Sequence, residues 1–261
     1  GYTFNKREVI RMEYKGMSAR EVRLLDRLEG GGLVVFTTSD ARRVMGVGRS
    51  DAHRILSRMV AKGHLVRLER GKYIDAGSAR ELDVYEVAPH LVEPSYLSLW
   101  TGLHIHGLTT QVPRTVFVIV TSPRRGLEVL GSPVRFVSVR PRLFFGYASY
   151  GGRVVAEVEK LLLDCLVFPQ HCGGWEEVVS SYGNARLDPE RVVDYALMTS
   201  IPTLCSRLGY TLERLGVEFD AERLRVASYH GRVTLDPSRP PGRCGTSSRW
   251  NLDINVEGGP C

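Results

Sequence analysis

Ser50-Asp51-Ala52-His53-Arg54-Ile55-Leu56-Ser57-Arg58-Met59-Val60-Ala61 carries two patterns at once. Ala52, Ile55, Leu56, Met59 and Val60 recur at helical spacing and predict one apolar face. The opposite face is left with Ser50, His53, Arg54, Ser57 and Arg58. Gly46-Val47-Gly48 precedes the stretch and Gly63 follows it, so a helix is expected over Asp51–Ala61 with Ser50 as its N-cap. Arg54 and Arg58 stand one turn apart and repel each other. Packing does not explain that pair, whereas a phosphate or a guanine edge would.

Working outward, the neighbouring segments supply the rest of a small domain. Ser18-Ala19-Arg20-Glu21 fits a capping box, and Val22, Leu24, Leu25 and Leu28 form the stripe of the helix it opens, which Gly30-Gly31-Gly32 ends. Leu33–Phe36 reads as a small strand. Thr37-Thr38-Ser39-Asp40 offers N-caps for a helix through Met45. Leu65–Glu69 and Lys72–Ile74 pair across Arg70-Gly71 as a hairpin. Helix, helix, turn, helix, hairpin is the order of a winged helix-turn-helix, expected over residues 18–78.

Charge places the partner. Residues 1–78 hold 16 Lys and Arg against 9 Asp and Glu, and residues 79–261 hold 19 against 20. A basic module beside a neutral one assigns polyanion binding to the first. A composition of 43% hydrophobic and 25% charged residues excludes a disordered chain, and no run approaches the eighteen or so apolar residues of a membrane span. Residues 1–17 read as an N-terminal extension of little functional weight, with Met17 directly before a helix start and no apolar centre of a signal peptide. The expected location is cytoplasmic.

The expected architecture is α+β, a winged helix-turn-helix followed by a mixed α/β domain over 79–227 and a C-terminal segment over 228–261. Ala76–Asp83 reads as a linker. Ser95–Gly107 reads as a helix, with Leu97, Trp100, Leu103 and His104 on its apolar side. Val116–Val120, Val134–Val139, Leu143–Tyr147 and Val154–Ala156 read as strands. Glu157–Leu166 reads as an amphipathic helix, and Trp175–Ser181, Pro189–Met198 and Pro202–Leu215 as further helices. One late strand near Trp250–Asn255 is expected to dock on this domain.

The DNA-facing set follows from the winged-helix geometry. Arg54, Arg58, His53, Ser50 and Ser57 would face the major groove, where Arg suits bidentate contact with guanine. Arg49 at the helix start favours a phosphate. Ser39, Arg42 and Arg43 of the preceding helix would lie along the backbone, and Arg70 and Lys72 would flank the wing tip. Phosphate contacts position and base contacts specify.

Patterns that look catalytic are incomplete. His104-Ile105-His106 lacks further ligands nearby. Glu157, Glu159, Lys160 and Asp164 resemble part of a nuclease site, but the position two before Lys160 is Val158, and Asp164 is expected to pair with Lys160 on the helix surface. His171-Cys172 with Cys165 lacks a fourth ligand. Cys165, Cys172, Cys205, Cys244 and Cys261 contain no C-x-x-C pair, so free thiols are expected. Gly30-Gly31-Gly32 lacks the Lys of a phosphate loop. Neither enzyme chemistry, a metal nor a cofactor is expected. The alternatives kept open are a nuclease-like enzyme targeted by the winged helix and a protein-interaction module without DNA binding.

Ser98-Leu99-Trp100-Thr101-Gly102-Leu103-His104-Ile105-His106-Gly107-Leu108 and Pro113-Arg114-Thr115-Val116-Phe117-Val118 resemble the start of the core domain of AbiEi-type antitoxins, the type IV toxin–antitoxin family of winged-helix transcriptional regulators. The likeness continues through Ala156–Asp164, His171-Cys172-Gly173-Gly174, Arg207-Leu208-Gly209-Tyr210, Leu235-Asp236-Pro237 and Arg249-Trp250. The resemblance implies a winged helix that binds operator DNA, often inverted repeats, upstream of its own genes; such operators suit either a homodimer or two cooperating copies of a monomer. It implies a second domain that counteracts a nucleotidyltransferase-like toxin, with or without direct contact. It also implies structural roles for His104, Gly107, Glu159, Lys160 and Asp164.

Overall fold

Two reciprocal caps set up the first helices. In the computed structural model, which describes residues 16–183, 185–242 and 244–256, the Ser18 N–H donates to Glu21 Oε2 at 2.6 Å and the Glu21 N–H donates to Ser18 Oγ at 3.4 Å. These bonds satisfy backbone groups that the first turn of α1 (Ala19–Gly30) leaves without partners. Thr37 and Asp40 repeat the device for α2 (Thr38–Met45), which follows β1 (Phe36–Thr37). Gly46, at φ 65, supplies the left-handed residue that ends α2. Helix α3 then runs Arg49–Ala61 from Gly48 as N-cap, which offers no side chain. Ser50, the N-cap expected from the sequence, instead stands inside the first turn, because Gly48 already adopts the extended backbone a cap requires.

The hairpin forms as β2 (Leu65–Glu69) and β3 (Lys72–Asp75), and β1 joins to give the sheet order β1-β3-β2. Phe36 pairs with Tyr73, their rings 5.8 Å apart. Leu24, Leu25, Leu28, Phe36, Ala41, Ile55, Leu56, Met59, Leu65 and Tyr73 make one buried core, so the apolar stripes read from the sequence meet each other. The linker expected over Ala76–Asp83 contains a helical turn, α4 (Ser78–Glu81), and Asp83 caps another, α5 (Val84–Val87). Asp75 accepts the Ser78 N–H at 2.9 Å and so starts a turn in place of an extended link. The chain forms two compact units, the first running to Leu91 and the second starting at Val92. Residues 1–15 of the expected N-terminal extension lie outside the described residues.

The second unit opens on a strand, β4 (Ser95–Leu97), before α6 (Leu99–Ile105). The single helix expected over Ser95–Gly107 fails at its start because Tyr96 and Leu97 are fully buried in the sheet, paired with Ile119 and Val118. Strands β5 (Val116–Val120), β6 (Leu127–Val129), β7 (Ser132–Ser138), β8 (Tyr147–Tyr150) and β9 (Arg153–Ala156) complete a mixed sheet of order β6-β7-β5-β4-β9-β8. Leu143, expected in a strand, ends a short 3-10 turn begun by Pro141, and the strand starts only at Tyr147.

Helix α7 (Val158–Val167) is not amphipathic. Every residue from Glu159 to Leu166 is buried, as befits a helix apolar on most of its faces. Around it stand α8 (Trp175–Tyr182), α9 (Pro189–Thr199), α10 (Pro202–Arg214) and α11 (Ala221–Ala227), the last not foreseen in the sequence. The C-terminal segment supplies three short strands, β10 (Val233–Thr234), β11 (Gly245–Ser247) and β12 (Leu252–Ile254), in place of the single one expected. It docks through Trp250, Leu252, Ile254 and Val256, which belong to the same core as α7. A Cβ at Gly209 would stand 2.3 Å from the Trp250 ring, so the close approach of indole and helix depends on that glycine. The architecture is α+β.

Candidate nucleic-acid interface

With Ala52, Ile55, Leu56 and Met59 turned into the core, α3 presents Arg49, Ser50, His53, Arg54, Ser57 and Arg58 to solvent. The residues expected to face DNA on this helix therefore share one exposed surface. No side chain caps the first turn of α3, and free N–H groups at a helix N-terminus favour an anion. Arg54 contacts Asp51 at 2.7 Å, with both side chains more than half exposed. Such a pair holds loosely, and a stronger acceptor can displace it.

Arg58 behaves differently. Its Nε and Nη2 donate to Glu21 Oε1 at 3.0 and 2.8 Å, and the Glu21 side chain is 1% exposed. Burial opposes ionisation of Glu21, but hydrogen bonds from Ser18 and Arg58 outweigh it and hold the carboxyl below its ordinary range. Stability therefore does explain Arg58, contrary to the expectation drawn from its repulsion with Arg54. Half of its side chain stays exposed, and that part lies on the α3 surface.

On α2, Ser39, Arg42 and Arg43 are all solvent-accessible. Arg43 pairs with Asp40. Partial burial of Asp40 works against ionisation, and Thr37 and Arg43 reverse it, lowering the Asp40 pKa. At the wing, Arg70 is exposed, while Lys72 is engaged by Glu69 at 3.2 Å and by the Leu91 carbonyl. Of the expected set, Arg42, Arg49 and Arg70 meet no carboxylate among the described residues, which leaves their guanidinium groups available. Arg67 on β2 is also exposed, its Nε donating to the Glu69 carbonyl at 3.2 Å. The sequence does not single it out, because alternation alone does not tell which face of a wing strand is solvated.

The catalytic-looking patterns resolve into structure. Lys160 and Asp164 do pair one turn apart, but at 0% and 2% exposure and not on the helix surface. Ser98 Oγ donates to Asp164 Oδ2 at 2.8 Å, the Tyr96 hydroxyl donates to the same oxygen at 3.2 Å, and Lys160 Nζ donates to the Tyr96 hydroxyl at 3.0 Å. Glu159 accepts the Asp188 N–H at 3.1 Å, and Glu157 pairs with Arg191 at 2.6 Å. Nuclease chemistry needs these groups gathered at an open site, and they are dispersed or sealed.

His106 Nε2 lies 2.7 Å from the Ala156 carbonyl, and His171 stacks on Phe117 at 5.1 Å. Burial, helped by Arg135, lowers the His171 pKa. Cys165, Cys172 and Cys205 are buried free thiols, and Cys244 is exposed; burial pushes Cys205 up to about 11. Cys261 lies outside the described residues. Among the described residues no His, Cys, Asp or Glu side chains gather as a metal-binding set, and no helix is long and apolar enough to cross a membrane.

The crystal structure of the RV2827C protein from Mycobacterium tuberculosis is similar to this chain, with a TM-score of 0.57 and 15% identity over 92% of each chain. At that identity the likeness concerns the fold. No curated protein matches the chain. Residues 22–74, which run from the first turns of α1 through α2 and α3 into β3, match the family described as transcriptional regulator, AbiEi antitoxin.

Proposed function

We propose that the chain is a sequence-specific, DNA-binding transcriptional regulator that reads duplex DNA with the exposed face of α3. The observation that carries the reading is that face itself. It gathers Arg49, Ser50, His53 and Arg54 on a winged-helix core whose residues match a regulator family. Arg54 and His53 reach base edges in the major groove, and Arg54 releases Asp51 to do so. Arg49 and the free N–H groups of the first turn of α3 take a phosphate. Ser39, Arg42 and Arg43 follow the backbone, Arg70 touches it at the wing, and Lys72 acts mainly by holding the hairpin. Ser57 and the exposed part of Arg58 complete the surface.

In the cell this unit represses its own genes from an operator, bound by a monomer or a homodimer, and the second unit counteracts a nucleotidyltransferase-like toxin. The family match, which lies in the first unit, supports a regulator of the antitoxin class. A reporter driven by the DNA upstream of the gene tests repression, and co-expression with any adjacent nucleotidyltransferase-like gene tests neutralisation. A silent reporter and rescued growth support the reading. A reporter indifferent to the chain sinks the first half of it, and growth arrest that the chain does not relieve sinks the second.

A further inference from the structure

Helix α1 carries positive charge that the α3 surface does not account for. Arg20, Arg23 and Arg27 are all exposed, and their spacing confines them to about 60° of the helix circumference. Leu24, Leu25 and Leu28 hold the other side of α1 in the core. None of the three arginines pairs with a carboxylate among the described residues. Arg27, in the last turn, suits the helix dipole, but Arg23 and Arg27 are like charges four residues apart, and Arg20 sits in the first turn, where the dipole disfavours a cation.

Two side chains of α3 tie it to the start of α1. Arg58 reaches Glu21, the neighbour of Arg20, and Lys62 Nζ donates to the Gly16 carbonyl at 2.6 Å. Glu21 lies about 100° or more around α1 from each of Arg20, Arg23 and Arg27, so the three arginines form a surface of their own beside that of α3 in the same unit. From Arg20 to Arg27 the helix rises about 10 Å, and the phosphates of one strand advance about 3.4 Å each along the duplex axis. We infer that this face of α1 is a second docking surface for the phosphate backbone, extending the footprint of the DNA-binding unit beyond α3. The inference rests on the DNA-binding reading above.

The test uses the full chain and two duplexes, the DNA upstream of its gene and a scrambled duplex of the same composition, titrated across a series of salt concentrations. Replacing Arg20, Arg23 and Arg27 together by Gln should lower the slope of log affinity against log salt by about 0.9 for each phosphate no longer neutralised, equally for both duplexes. Lys at the same three positions should restore the slope, because a backbone phosphate needs the charge and not the guanidinium fork. If the Gln variant keeps the wild-type slope while the wild type binds with salt dependence, α1 is a solvated face and α3 alone binds DNA. A Gln variant that alters the preference between duplexes contradicts a backbone role. A wild type with no salt-dependent binding to either duplex removes the DNA-binding reading and this inference together.

Discussion

Arg58→Ala removes two guanidinium bonds from a carboxylate that has almost no access to water. Glu21 would keep its hydrogen bonds with Ser18 but not its counter-charge. Removing the partner of a fully buried ion costs about 3–5 kcal/mol, and an unsatisfied buried polar group costs about 1–3 kcal/mol. The lower range applies here, because the Arg58 side chain is 48% exposed and water can enter the space it leaves. Arg54→Ala breaks only the exposed pair with Asp51 and should change stability by less than about 0.5 kcal/mol. Urea unfolding, with hydrogen exchange of the α1 and α3 amides to locate the change, compares the two variants. Glu21→Gln in the Arg58→Ala background should recover part of the deficit. The pH dependence has a definite sign: the folded pKa of Glu21 is lowered, so its contribution is complete above the unfolded value near 4.3. That contribution disappears as pH falls through the folded value. The gap between wild type and Arg58→Ala should therefore close in acid. An Arg58→Ala variant as stable as Arg54→Ala at neutral pH would refute the argument.

Two further substitutions probe the second unit. Lys160→Met strands the buried Asp164 carboxylate and should cost about 3–5 kcal/mol in urea unfolding, with Asp164→Leu in the same chain regaining much of it; equal stability of the single and double variants would contradict the pairing. Gly209→Ala drives a methyl group into the Trp250 ring and should cost about 1–3 kcal/mol, together with a shift in tryptophan fluorescence; an unperturbed spectrum would mean that the C-terminal segment does not dock there.

The N-terminal unit is legible in the sequence because its signals are local. Ser18 with Glu21, Thr37 with Asp40, and the stripe of α3 each lie within a few residues of chain, and each forms. The second unit is legible in class but not in detail. Leu97 falls on the helical spacing of Trp100, Leu103 and His104, and only the distant partner β5 decides that Ser95–Leu97 is a strand. Leu161, Leu162 and Leu163 announce an apolar helix, yet nothing local tells that Lys160 and Asp164 are buried with them. Their compensation comes from Tyr96 and Ser98, more than sixty residues away. The same limit applies at the interface. The exposed set on α3 follows from periodicity, whereas the tie between Arg58 and Glu21 spans 37 residues and depends on how α1 packs.

Fluorescence anisotropy of the full chain with the upstream duplex and a scrambled one, at two salt concentrations, tests the central claim most directly. The account predicts a preference for the upstream duplex that survives the higher salt and vanishes in Arg54→Ala, at about 1–3 kcal/mol for a bidentate base contact. Equal affinity for both duplexes, collapsing together as salt rises, would contradict a sequence-reading α3.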